Sequence, residues 1–116
     1  MQTAPKQLNL EQFTGTEHYY KYLFGIKLTD GVKYLAEVAK CFWLLDIIAS
    51  WQLEAKVKGQ EFQVWKLQRC AEAWLVVCED GNNNELCRQV VEYSDFEYES
   101  AEVWLINGVM LLPSEY

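Results

Sequence analysis

The spacing of apolar residues changes along the chain, and each change predicts a different element. Val32, Leu35, Ala36, Val38, Ala39 and Phe42 recur at intervals of three and four. That period gives one apolar stripe on a helix over about 31–41, with Lys33, Glu37 and Lys40 on its polar side. Thr29 or Asp30 supplies the oxygen that caps its first turn. The next stretch, Phe42 to Leu53, is apolar nearly all round, as in a helix buried on most faces. It continues to about Lys56, and Gly59 ends it. Continuity between the two helices is left open by the pattern. Upstream, His18 to Leu28 is aromatic-rich and broken by Gly25, which reads as extended or irregular backbone. Residues 1–8 read as a loose end. Leu8, Leu10 and Phe13 are anchors for a first turn or strand, and 14–17 is a polar turn.

After Gly59 the period falls to two. Residues 61–70, 73–79, 85–93, 101–106 and 109–112 read as strands rich in Val, Leu and Trp. Ala71-Glu72 is a tight turn, and Asp80 to Asn84 is a loop. Asn107-Gly108 between two apolar runs is a hairpin signal, because both residues accept positive φ. Pro113 ends the last strand. The expected fold is a single α+β domain spanning 1–116, with N-terminal helices packed on one face of an antiparallel sheet of four to five strands.

Composition narrows the class. In 116 residues, 51% are hydrophobic and 15% aromatic, which excludes a disordered acidic tail. A chain of this size folds without a disulfide or metal staple. The formal charge of -7 repels a phosphate backbone, so direct nucleic-acid binding is not expected. The longest apolar run, Cys41 to Leu45, is far short of a bilayer span, so no membrane partner is expected. The N-terminus lacks the apolar core of a signal peptide, which points to the cytoplasm and to reduced thiols. Cys41, Cys70, Cys78 and Cys87 form no CxxC pair, and His18 is the sole histidine. Neither a metal nor a cofactor is expected.

Several blocks occur in order: Gln12-Phe13-Thr14-Gly15-Thr16-Glu17 with Tyr19-Tyr20, Thr29 to Glu37, Trp43 to Ser50, Phe62-Gln63-Val64-Trp65, and Asn107 to Tyr116. Together they resemble the uncharacterised DUF6876-type domains of bacteria, from about residue 9 to the end. The resemblance implies an accessory or mobile gene pool and carries over no catalytic residue. Lys40 stands where a small residue or Gly would separate the helices.

Candidate chemistry is sparse. Asp46 is a lone carboxylate in an apolar helix, four residues before Ser50 on the same face. Buried, it would need donors or a cation, and would serve as a ligand-binding acid or base; at a boundary it meets water, Lys or an amide. His18 lies between Glu17 and Tyr19, but neighbours in an extended segment point apart. Period two instead places His18, Tyr20, Tyr22 and Phe24 on one side, an aromatic row for a partner or for the core. Cys70, Cys78 and Cys87 read as buried small hydrophobes, with Cys41 the least firmly inert. The loop at 80–85 is too short for an EF-hand and reads as a plain turn. The leading expectation is an acidic protein-interaction domain whose partner is another protein or a second copy, through His18, Tyr20, Tyr22 and Asp46. The alternative is a small ligand-binding or enzymatic domain using Asp46, with His18 or Tyr20 nearby. A third reading, nucleic-acid mimicry, would put Glu92, Asp95, Glu97, Glu99 and Glu102 on one exposed stripe.

Overall fold

Gln63, Trp65 and Leu67 are buried on one side of a strand, and Phe62, Val64 and Lys66 alternate to the other. The rest of the protein is organised by that division. The computed structural model describes residues 10–116 apart from Tyr93 and Asp95. The loose end expected at 1–8 lies outside the described residues.

The strands are β1 (Tyr19–Lys21), β2 (Lys27–Thr29), β3 (Phe62–Cys70), β4 (Ala73–Glu79), β5 (Glu85–Val91), β6 (Ser100–Ile106) and β7 (Val109–Leu111). The helices are α1 (Asp30–Val38), α2 (Phe42–Trp51) and α3 (Ala55–Lys58). Among the described residues, no helix is long and apolar enough to cross a membrane. The sheet runs in the order β1-β2-β7-β6-β3-β4-β5. The α+β class is as expected, but the described residues form a sheet of seven strands rather than four or five, and it is not wholly antiparallel. β2 runs parallel to β7, pairing Lys27 with Val109 and Leu28 with Met110. The two extra strands, β1 and β2, have three residues each, too few to display a period of two. Nothing local announces a parallel pairing, because its partner lies at the far end of the chain.

The helices are separate. α1 ends at Ala39, Lys40 takes φ +54°, and the Cys41 amide donates back to the Ala36 carbonyl at 3.0 Å. This is a Schellman ending with Lys in the position that glycine favours. Full burial of Cys41 and near-complete burial of Leu44 after the turn offsets the left-handed strain at Lys40. α2 is less enclosed than its composition suggests. Leu44, Leu45, Ile48 and Ala49 are buried, Trp43, Ile47 and Trp51 half-buried, and Phe42, Asp46 and Ser50 exposed. A third of the helix therefore faces away from the core.

One apolar core lies between helices and sheet, with Val32, Leu35 and Ile48 packed over Trp65, Val76, Val103 and Met110. A single glutamine sits in it. Gln63, 2% exposed, donates to Gln52 Oε1 at 2.9 Å and the Val57 carbonyl at 2.8 Å. Its own oxygen accepts from Gln52 at 2.8 Å and from the Trp65 indole at 2.9 Å. A buried amide is tolerated only when satisfied, and this one ties Gln52 at the end of α2 and Val57 of α3 to β3. The Asn107-Gly108 hairpin has φ +50° and +79°, as its sequence requires.

The chain end packs down. Glu115 accepts the Thr29 hydroxyl at 2.6 Å, the Leu112 amide at 2.9 Å and the Gly31 amide at 3.2 Å. Thr29 in turn caps α1 by accepting the Val32 amide at 3.3 Å. A carboxylate here neutralises amides left unpaired at the helix start. A Cβ at Gly31 would lie 2.6 Å from both Glu115 Oε1 and Leu112 Cδ1, so both side chains would have to move. Gly31→Ala is expected to lower stability by about 2 kcal/mol, through displacement of the Glu115 carboxylate from the helix start. Urea unfolding monitored by tryptophan fluorescence measures it; an unchanged midpoint would mean the side chains yield freely.

Candidate interaction surfaces

The four sequence candidates fall into two pairs rather than one site. The Tyr20 hydroxyl donates to Asp30 Oδ1 at 2.9 Å, with Lys33 Nζ 4.2 Å above the Tyr20 ring. His18 Nδ1 is 3.9 Å from the same Asp30 oxygen, and its side chain is 69% exposed. The Glu17 amide donates to Asp30 Oδ2 at 2.9 Å. That amide is the main cause holding the Asp30 carboxyl below its ordinary range, with help from Tyr20 and Thr16. The same bond to Asp30 raises the Tyr20 phenol. Asp30, read from sequence only as a helix cap, is thus the organiser of the β1 end.

The second pair is Tyr22 and Asp46. The Tyr22 hydroxyl donates to Asp46 Oδ1, and its ring stacks on Phe42 at 6.4 Å. Burial first, and then the carboxylate, raise the Tyr22 phenol far above physiological pH, so it stays a donor. Asp46 itself is exposed, a boundary residue rather than a buried acid. No contact among the described residues joins His18 to Asp46, so the imagined catalytic set is not assembled. Phe24 leaves the aromatic row: it has φ +56° in a one-turn 3-10 segment.

Asp46 lines a groove of about 490 Å³ between α2 and β5, with Trp43, Ile47, Gln89, Val91 and Ser94. Trp51 donates to Gln89 at 2.9 Å and spans helix and strand. Trp43 meets Phe96 edge-on at 6.4 Å, and Phe96 is buried against Trp74 and Tyr98. The helical wall is therefore braced by aromatic packing.

The sheet face opposite the helices is a second surface. Phe62, Trp104 and Tyr116 form a triangle with centroids 5.1, 5.7 and 5.3 Å apart. Tyr19, 59% exposed, lies with Ile106, Val109 and Leu111 beside Tyr116, which is 75% exposed. Towards β5 the face becomes polar but paired: Lys66 to Glu79 at 3.0 Å and Arg88 to Glu85 at 2.6 Å. Glu102 belongs to this face and accepts the Trp104 indole at 2.7 Å, while Glu92, Glu97 and Glu99 lie in the connection after β5. Asp95, the remaining acid of the mimicry reading, is outside the described residues.

Cys41, Cys78 and Cys87 are buried, and burial pushes the Cys41 thiol up to about 12. Cys70 is exposed, contrary to expectation, because the end of β3 runs past the cover of the helices. The 80–85 loop is a turn in which Asp80 Oδ1 accepts the Asn82 and Asn84 amides at 2.8 and 3.2 Å.

The model of a family of unknown function, DUF6876, matches residues 4–116, and the chain belongs to that family. No curated protein and no solved structure matches the chain.

Asp30 makes a pH prediction. Its folded pKa is depressed, so its contribution to stability is present above the unfolded value of about 3.9 and is lost as pH falls through the folded value. Asp30→Asn should therefore be less stable than wild type at neutral pH, and the difference should shrink in acid. Denaturant unfolding at several pH values measures this; a difference independent of pH would assign the effect to shape rather than charge.

Proposed function

We propose that this family member is a protein-interaction domain and that its helix-free sheet face is a contact surface occupied by a second copy of the chain. The observation that carries the reading is the apolar face left uncovered by the described residues, with its Phe62, Trp104 and Tyr116 triangle. A sheet usually covers an apolar face with another layer, and here the helices cover only the other side. Strand spacing and rise give the face roughly 550 Å² per copy, about 1,100 Å² for a pair. That clears the roughly 1,000 Å² expected of a specific interface. Charges on the face carry both signs, so a copy meets its like without a one-sign field. A net charge of -7 supports a protein rather than a nucleic-acid partner. The enzymatic alternative has the Asp46 groove in its favour, but Asp46 stands exposed and bound by Tyr22.

Sedimentation velocity tests the reading. A dimer is expected at roughly micromolar concentration, tightening with added salt because each copy carries -7. Tyr19→Lys with Tyr116→Lys, both at exposed positions, should weaken it at least about tenfold, or roughly 1.4 kcal/mol. A chain that stays monomeric at roughly millimolar concentration contradicts the proposal.

A further inference from the structure

The groove between α2 and β5 is independent of the sheet face, and two features meet in it. The first is a strand edge. β5 pairs with β4 along Cys87–Val91 and has no partner on its other side among the described residues. Alternate residues of such an edge present their amide and carbonyl outward. Common edge protections are thin there: the segment contains no Pro and no Lys, and its Arg88 is held by Glu85 at 2.6 Å. The β-bulge lies before it, at the Cys78 and Glu79 register shift. The second feature is the helix beside the edge. Trp43, Ile47 and Trp51 recur every four residues along α2 and stay half-buried, forming an apolar ridge. The Trp51 bond to Gln89 closes one end, and Val91 and Ser94 line the other.

Among the described lining residues, Asp46 carries the one charge. Tyr22 donates to Asp46 Oδ1, while Oδ2 has no hydrogen-bond partner among the described residues. Tyr22 fixes the carboxylate from outside the groove, so the second oxygen is a preset acceptor. The chain's net charge of -7 favours a cationic partner.

From these features we infer that the α2–β5 groove binds an extended peptide segment of a partner protein by strand addition to β5, with a Lys or Arg of that segment paired to Asp46. The backbone of the segment supplies what the β5 edge lacks. Every second side chain turns to α2, where apolar groups meet Trp43 and Ile47 and the cation meets Asp46. The intervening side chains project towards the side of the open sheet face, next to exposed Val90, and are weakly selected.

A random octapeptide library displayed on phage is the probe. Selection on the wild-type chain should enrich apolar residues at alternate positions with one Lys or Arg among them. A selected peptide should shift the amide resonances of Gln89, Val90 and Val91. Asp46→Asn should weaken that peptide about tenfold and leave unchanged its analogue with norleucine in place of the basic residue. N-methylation of alternate peptide bonds on one edge should abolish binding, and rising salt should weaken it, the opposite of the salt response of the dimer. The Tyr19→Lys, Tyr116→Lys variant should bind the peptide as wild type does, whether or not the chain dimerises. No enrichment, shifts away from β5, or equal affinity for Asp46→Asn would overturn the inference.

Discussion

Glu115 holds the β1–β2 hairpin to the rest of the sheet. Its carboxylate reaches 84 positions back to the Gly31 amide, and that contact seats the last turn against the first long helix. The parallel β2–β7 pair is only two residues in register and would be weak alone. Charge-assisted bonds to Thr29, Leu112 and Gly31 contribute about 1.5–3 kcal/mol each at most and reinforce that seam. Without it β1 and β2 are a short hairpin, marginal in water. Tyr20 and Tyr22, and through them Asp30 and Asp46, are placed by that hairpin.

The sheet so closed has two unequal faces. One carries all three helices and the core; the other carries an aromatic triangle fixed in part by Tyr116, the residue after the clasp. Seating the C-terminal turn therefore serves two ends, capping α1 and adding an exposed ring to the open face. At the far edge, β5 lies beside an α2 only partly sunk into the core, and this leaves the groove. Both surfaces follow from one-sided helix packing on a wide sheet, since three short helices cannot cover both faces of seven strands.

Features whose causes are local in sequence were legible from it. The Thr29 cap, the Asn107-Gly108 hairpin and the period-two strands β3 and β4 all depend on neighbours within a few residues. Long-range features were not. The β2–β7 pairing and the Glu115 clasp connect distant segments by backbone groups that every residue possesses. The end of α1 was obscured because Lys40 occupies a left-handed position with no residue-type signal, and burial of Cys41 decides it. Gln63 carries no signal in the sequence for the side it faces; it points inward because Gln52 and the Val57 carbonyl satisfy it. Among the candidates, Tyr22 and Asp46 were picked out separately for aromatic pattern and charge. Their contact could not be read, since it needs the break after α1 to bring α2 beneath Tyr22. His18 and Tyr20 converge on Asp30 instead, a carboxylate whose capping role masked its wider one.

The seam can be tested by native-state amide hydrogen exchange on wild type and Glu115→Ala. Removing the carboxylate should strip protection first from residues 19–29 and 109–111, with the amides of β3 and β4 holding their wild-type protection. An even loss across the whole sheet, or no loss at all, would contradict the claim that this contact holds the N-terminal hairpin to the rest of the fold.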